Sequence, residues 1–402
     1  MVGNELHLLS TSDLWHDKDF SSLDANIIPL STFVVKVASR CNIDCDYCFM
    51  YHGEDQSWAK RPKKMALDTA RAIAACIQQH VDAHSISKVQ ISLHGGEPLS
   101  LERGRFEEIV QVFRQNIQCD VDIGVQTNGT LITDEWVELF DRLGISVGLS
   151  LDGPKSVNDL HRLYRDGRST FQKTMSGLDK LLTTETGRKC FSGVLTVVSP
   201  NTDPLELLSF YDSLGLDDID LLLPHGTYDT PPIGMPDPLH SDIYAQWMIR
   251  FFDAWFSNFQ HIRVRYLEEI IALLLGGASH LEAIGAQSVN LIIFETDGEI
   301  EALDSLKVAG RVATQLHLNA FENVLDDAVA HPAIYSRMMG KKALCGTCRE
   351  CSEVLNCGGG YLPHRFSTKR GFLNPSVYCE NLKMIFSHVR NVLFETPPQA
   401  AA

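Results

Sequence analysis

From residue 32 onward, short β-branched runs alternate with stretches whose apolar residues recur at helical spacing. This is the pattern of consecutive βα units around a parallel sheet, not of a sandwich or a bundle. Six runs read as strands: 32–39 (TFVVKVAS), 88–93 (KVQISL), 121–127 (VDIGVQT), 145–151 (ISVGLSL), 191–198 (FSGVLTVV) and 218–223 (DIDLLL). Between them MALDTARAIAACIQQHV, FEEIVQVFRQNI, TDEWVELFDRL, FQKTMSGLDKLL and DPLELLSFYDSL read as amphipathic helices. The expected fold class is α/β, a partial (βα)6 barrel of the TIM type that stops short of eightfold closure. Its chemistry belongs on the loops after the strands' C-terminal ends. An open barrel also leaves a side entrance for a bulky substrate such as a peptide.

Residues 1–31 precede the pattern and read as an N-terminal extension. The barrel occupies 32–238 and ends in the Pro- and Gly-rich loop PHGTYDTPPIGMPDP. A helical connector follows over 239–284. Residues 285–402 hold short strands (VNLIIFETDG, EIEALDSLK) and a Cys-rich run, and read as a separate small domain held together by metal, because large apolar residues are few there.

The 402 residues are 44% hydrophobic and 21% charged, enough for a sizeable core and too balanced for a disordered chain. A formal charge of −16 argues against nucleic acid as a partner, since phosphate binding needs clustered Lys or Arg. No apolar run approaches the roughly 20 residues that cross a bilayer. No basic stretch followed by an apolar core opens the chain, so a cytoplasmic location is expected. The 11 cysteines therefore point to metal or catalysis and not to disulfides. Three lie at 41–48 and five at 345–379. Cys76, Cys119 and Cys190 stand alone and read as small buried apolar residues.

Directly after the first strand, SRCNIDCDYCFMY offers the thiols of Cys41, Cys45 and Cys48. Three thiolates on a four-iron cluster leave one iron open for a ligand. Zinc, which wants four closed ligands, would have to borrow His52. CxxxCxxC at this place in a βα barrel resembles the signature of the radical S-adenosylmethionine (SAM) superfamily. That resemblance implies a SAM-binding [4Fe-4S] cluster on Cys41, Cys45 and Cys48. LHGGEP after the second strand looks like the superfamily's GGE motif at the SAM amino group. Gly95 and Gly96 would allow close backbone approach, and Glu97 would accept from the ammonium. SLDGPKSVNDLHR after the fourth strand is similar to the sulfatase-maturase branch, which implies Ser150 and Arg162 at the SAM carboxylate, with Arg165 as a competitor. Tyr47 and Leu195 stand where the family places apolar contacts to adenine.

The run CGTCRECSEVLNCGGGYLPHRFSTKRGFLNPSVYC looks like a SPASM domain, the auxiliary iron–sulfur domain of radical SAM enzymes that modify peptides and proteins. The resemblance implies one auxiliary [4Fe-4S] cluster on Cys348, Cys351, Cys357 and Cys379. A second auxiliary cluster is not expected, because Tyr361 and Leu303 stand where its cysteines would be. Cys345 is surplus and competes with Cys348 for a ligand place; a zinc ribbon is the alternative use of these thiols. Five separated segments, FVVKVASRCNIDCDYCFMYHGEDQSW, LHGGEPL, LLLPHGTYD, ETDGEIEALDSLK and CGGGYLPHRFS…GFLNPSVYC, together resemble the FxsB-type radical SAM/SPASM maturases that form cyclophanes on ribosomal peptides.

What the resemblance implies is a radical SAM enzyme that joins an aromatic ring carbon to a side-chain β-carbon in a ribosomally made precursor peptide. Asp304 is the candidate base by its likeness to the catalytic Asp of sulfatase maturases. An external electron donor such as flavodoxin or ferredoxin completes the expected partners; nucleic acid and membrane are not among them. His225, Tyr228, Asp229, His364 and Arg365 are further candidates for peptide contact. Formylglycine formation of the anaerobic sulfatase-maturase kind is the alternative enzyme, and a non-catalytic iron–sulfur or zinc scaffold the alternative of another class.

Overall fold

Val35, Lys36, Val37 and Ala38 are consecutive and fully buried within Thr32–Ala38, so this strand is covered on both faces. The computed structural model describes Leu14 and residues 29–394. Its strands are β1 (Thr32–Ala38), β2 (Lys88–Gly95), β3 (Asp120–Thr127), β4 (Ser146–Ser150), β5 (Phe191–Val197), β6 (Asp218–Leu222), β7 (Arg263–Val264), β8 (Leu291–Phe294), β9 (Glu299–Glu301) and β10 (Gln315–Asn319). Two short strands, Asp44–Cys45 and Arg162–Leu163, pair only with each other. The described residues 29–196 and 289–338 form one compact unit; 197–288, 339–394 and Leu14 form another.

In the first unit β1 to β5 follow one another in parallel register. Helices α1 (Leu67–His84), α2 (Arg103–Asn116), α3 (Asp134–Leu143) and α4 (Phe171–Thr183) connect them, close to the sequence expectation. Each buries one stripe. In α3 these are Trp136, Val137, Leu139, Phe140 and Leu143, and Trp136 meets Phe106 of α2 edge-on at 5.2 Å. At the end of α1, Leu30 N–H donates to His80 Nε2 (3.0 Å), which leaves the Nδ1 proton for Asp326 Oδ1 at 2.7 Å.

Here the chain departs from the division expected at residue 285. β8 adds in parallel beside β1, from Thr32 opposite Leu291 to Val35 opposite Phe294, and β9 and β10 extend it antiparallel. Residues 289–338 thus belong to the sheet unit, apart from the Cys-rich run. The physical reason is charge. Lys36, in the middle of β1, has no solvent exposure, and Glu295, one residue beyond β8, receives its Nζ at 2.8 Å. Around this pair lies a buried ion network. Lys307 reaches Glu301 (2.8 Å), Glu295 (3.3 Å) and Asp55 (3.4 Å), and Arg61 reaches Glu301 (2.6 Å), Asp297 (2.7 Å) and Glu299 (2.8 Å). Burial works against Lys307's charge, but Glu301, Glu295 and Asp55 hold its pKa above the usual range.

The second unit pairs β6 with β7 and packs α6 (Ile243–Asn258) against α5 (Pro204–Ser213) and α8 (Cys379–Phe394). α7 (Arg265–Leu274) also meets α8, so the expected connector is part of this unit's core. Tyr244 on α6 and Tyr378 cross edge-on at 5.1 Å, and Tyr378 donates its hydroxyl to Pro224 O. Among the described residues, no helix is long and apolar enough to cross a membrane.

Two outcomes follow. Lys307→Met strands the buried Glu301 and Asp55 carboxylates, so the sheet unit loses about 3–5 kcal/mol, read as an early transition in urea unfolding followed by sheet-sensitive circular dichroism. His331 is held at about 4 by burial, reinforced by His317, against an ordinary value of about 6.5. A depressed folded pKa gives stability that is complete above the unfolded value and is lost as pH falls from about 6.5 toward 4. The urea midpoint should drop between pH 7 and pH 5, and less steeply in His331→Gln.

Candidate functional site

The loop that leaves β1 carries the first three cysteines. Cys45 N-terminal to a tight turn accepts from Cys48 N–H (3.0 Å), and Cys48 caps the short helix Phe49–His52. Backbone N–H groups of Ile43 serve the Cys41 sulfur, and those of Met50 and Tyr51 serve Cys48. Asn128 Nδ2 adds a donor 3.7 Å from Cys41 Sγ. Burial, helped by Glu97 and by the other cysteines, pushes the Cys41 thiol up to about 12. Burial likewise takes Cys48 to about 12 and raises Cys45, where Arg162 pulls the other way. Three thiols on one loop, Cys45 buried and Cys41 and Cys48 half-buried, that resist ionising while backbone donors serve Cys41 and Cys48 suit a bound metal, which replaces their protons.

The second loop is stitched to the first. Gly96 N–H donates to Ala38 O (2.8 Å) and Glu97 N–H to Arg40 O (3.0 Å). A Cβ on Gly95, at φ +143°, would lie 2.0 Å from Ala38 O, and one on Gly96 would lie 2.2 Å from the Arg40 carbonyl carbon. The glycines are thus required by this chain's own cysteine loop. Glu97 is also bonded within the chain. Its carboxylate accepts from Leu99 N–H (3.0 Å), Thr127 Oγ1 (2.7 Å) and Asn128 N–H (2.9 Å), filling three of roughly four acceptor positions. It ties the β2 loop to the end of β3, and burial raises its pKa despite those bonds.

Arg162 pairs across from Cys45 in the two-residue ladder. Its Nη1 donates to Tyr47 OH (2.8 Å), which donates to Asp152 Oδ2 (2.6 Å). Tyr47 therefore takes a polar role, with its ring 5.6 Å from that of His161. Arg162 Nε is buried without a hydrogen-bond partner among the described residues, an unused donor. Ser150 Oγ accepts from Gln126 Nε2 (2.9 Å) and so keeps its own proton to donate; Leu195 is its register partner on β5. Gln126, Thr127, Asn128, Asp152 and Lys36 were not singled out from sequence. Only Lys36, a charge inside the apolar run FVVKVA, carried a visible signal.

Asp304 opens the 3-10 helix Asp304–Ala309, with Oδ2 3.9 Å from Lys36 Nζ and the side chain 14% exposed. It is the most accessible acid at Lys36, because Glu295 beside it is 1% exposed. Lys36 Nζ also contacts Met50 Sδ (3.2 Å), two residues past Cys48, and Asp55 N–H donates to Lys307 O (3.1 Å). The ion network so joins the Asp304 helix to the cysteine loop. His94 stands beside Lys36 in the β1–β2 register, with Nδ1 buried and unpartnered among the described residues.

In the second unit Cys348, Cys351, Cys357 and Cys379 line one pocket, together with Glu353, Gly359, Ser376 and Lys383. Cys345 is not in that lining. It is buried against Leu344, Val354 and Leu373, and its thiol bonds to Cys348. Several residues read from sequence as peptide contacts are engaged internally. Tyr228 OH donates to Pro375 O (3.2 Å), and Asp229 accepts from Thr368 N–H (2.7 Å). His364 lies buried among the rings of His225, Tyr361 and Tyr378.

Residues 35–212 match the family model of the radical SAM superfamily. Over 373 residues the chain is 23% identical to the cysteine-type anaerobic sulfatase-maturating enzyme of Clostridium novyi, covering 89% of this chain and 94% of that one. The serine-type anaerobic sulfatase-maturating enzyme of Bacteroides thetaiotaomicron is 30% identical over 154 residues, 38% of this chain and 36% of that one. Native anSMEcpe with bound AdoMet has the same fold, with TM-score 0.75 at 21% identity over 90% of this chain and 98% of that one. SuiB of Streptococcus suis follows at TM-score 0.58 and 16% identity, covering 88% and 78%. The α/β fold with its mainly parallel sheet is thus the fold of anSMEcpe, and residues 35–212 are similar to the radical SAM superfamily.

Proposed function

We propose that this radical SAM enzyme oxidises a Ser or Cys side chain in a peptide or protein substrate to an aldehyde, the chemistry of anaerobic sulfatase maturation. One observation carries the reading: the likeness to the Clostridium novyi sulfatase-maturating enzyme covers 89% of this chain, well beyond the 35–212 segment. A peptide partner is supported by anSMEcpe, which has been solved with bound AdoMet and the Cp18Cys peptide. The crosslinking reading from sequence rests on five matched segments, and no distance in the site favours it over oxidation to an aldehyde.

The residues fit the groups this requires. Cys41, Cys45 and Cys48 would hold the SAM-binding [4Fe-4S] cluster, and the spare donors of Arg162 and Ser150 suit the SAM carboxylate. Cys348, Cys351, Cys357 and Cys379 would hold an auxiliary [4Fe-4S] cluster. When bound, the first cluster with SAM supplies a hydrogen-abstracting carbon radical, and a closed four-thiolate cluster supplies one-electron transfer. The oxidation removes two hydrogens from a –CH2–XH group: one leaves the β-carbon as an atom, the other leaves X as a proton, and the remaining electron would go to the auxiliary cluster; where X is sulfur, water then replaces it, releasing hydrogen sulfide and giving the aldehyde. Asp304 is the proton acceptor, and Lys36 orients it from 3.9 Å. Reducing electrons come from an external flavodoxin- or ferredoxin-type donor.

Anaerobically reconstituted enzyme, incubated with SAM, reductant and Cys- or Ser-containing peptides, should release 5'-deoxyadenosine and leave an aldehyde that hydrazine reagents trap. Loss of two hydrogens without a trappable aldehyde would instead establish a crosslink. Asp304→Asn should keep 5'-deoxyadenosine release and lower product about a hundredfold or more, the lower end of what a positioned general base contributes; unchanged product yield removes Asp304 from the mechanism. By iron and sulfide content, Cys348→Ser should lose one cluster's worth and Cys345→Ser none.

A further inference from the structure

Three consecutive glycines, Gly358, Gly359 and Gly360, follow Cys357 with φ of +62°, +79° and +68°. Left-handed backbone in a row turns successive N–H groups toward one point, the arrangement of an anion-binding nest. Here the acceptors belong to Cys357: Gly359 N–H serves its sulfur, and Gly360 N–H is shared between that sulfur and Cys357 O, 2.9 Å away. Side chains are excluded by space as well as by φ. A Cβ on Gly358 would lie 1.7 Å from Gly285 O, and one on Gly360 2.9 Å from Ser376 Cβ.

The opposite faces of the same peptides are held by one residue. Arg365, the last residue of the 3-10 helix Leu362–Arg365, donates Nε–H to Gly359 O (3.0 Å) and Nη2–H to Gly358 O (2.9 Å), and Nη2 also bonds to Gly360 O. No carboxylate lies within ion-pairing distance of its guanidinium among the described residues, although Glu282 contributes to its field. Burial lowers the Arg365 pKa, and the sulfurs of Cys348, Cys357 and Cys345 oppose that fall. A partly buried cation with only carbonyl partners needs a counter-charge. Four thiolates carry more negative charge than an iron–sulfur core neutralises.

The bonding has a direction. The peptide between Gly358 and Gly359 accepts from Arg365 at its oxygen and donates to the Cys357 sulfur at its nitrogen; the peptide between Gly359 and Gly360 also accepts from Arg365, with its N–H shared between that sulfur and Cys357 O. A charged donor on the oxygen polarises each peptide and makes its N–H the stronger donor. Hydrogen bonds to ligand sulfurs stabilise the more negative, reduced state of a cluster.

We infer that Arg365 is a positioning residue of the second cysteine site, acting through the Gly358–Gly360 peptides on Cys357 to raise the reduction potential of the cluster bound there. The inference rests on the auxiliary-cluster assignment above. It extends that assignment by naming the residue that sets the cluster's potential, and it moves Arg365 from peptide contact to cluster tuning.

The test uses the full chain with Cys41, Cys45 and Cys48 replaced by Ala, so that only the second site loads iron, and a redox titration followed by electron paramagnetic resonance. If this parent holds no cluster, the cofactor assignment fails regardless of Arg365. With a loaded parent, Arg365→Gln should titrate at a more negative potential and Arg365→Lys close to the parent. An unchanged potential in a loaded Arg365→Gln overturns the inference. Should Arg365→Gln lose the cluster, a loaded Arg365→Lys at the parent potential upholds the requirement for charge. Loss of the cluster in both variants overturns it, since the three-carbonyl fork and not the charge would then be what the site needs.

Discussion

The ion pair between Lys36 and Glu295 is the contact on which the sheet unit depends. A lysine with no solvent exposure in the middle of a strand is tolerable only with a carboxylate already beside it. Glu295 can be there only if Leu291–Phe294 lies along β1, which draws in β9, β10 and the Asp304 helix. Burial alone would raise the Glu295 pKa, yet Lys36, Lys307 and Arg61 together carry it far below the usual carboxylate range. The same charges reach Asp55 and Met50 just past the cysteine loop. One electrostatic constraint therefore sets the sheet's edge, the place of Asp304 and the seat of the three thiols.

Electrostatics treats the two cysteine groups differently. Around Cys41, Cys45 and Cys48, burial opposes ionisation, and the nearest cation, Arg162, is shared with Tyr47 and Asp152. Ionisation there waits on a metal. Around Cys357 the chain supplies its own positive environment, two N–H groups at the sulfur with Arg365 behind them. The first arrangement suits a site that must also admit a ligand; the second suits one closed on four sulfurs.

The five strands from β1 to β5 and their helices were legible because long, regular hydrophobic periods depend on local spacing alone. The grouping of Cys348, Cys351, Cys357 and Cys379 was legible because their spacing is short, and the structure brings all four to one pocket. The placement of Leu291–Phe294 was not: LIIF announces a strand, but nothing within four residues says which sheet it joins. That answer lies in Lys36, some 250 residues earlier in the chain and read there as part of an apolar run. The role of Glu97 was hidden for a related reason. Its partners Thr127 and Asn128 end a different strand, and an acid after two glycines looks the same in sequence whether it faces a ligand or its own backbone. Tyr47 likewise showed its ring in the sequence, while its partners Asp152 and Arg162 came from a distant loop.

The sheet unit is assembled from two stretches of chain, 29–196 and 289–338, separated by residues of the other unit. During synthesis β1 leaves the ribosome long before Glu295 exists. Until residue 295 and then residue 307 emerge, Lys36 has no acid from the 291–311 segment, and its strand cannot bury that side without leaving a bare charge. The nascent sheet is thereby kept from closing early on itself. The segment that finally completes it is the one that brings Asp304, so the cysteine loop acquires its settled packing and its candidate base in the same event.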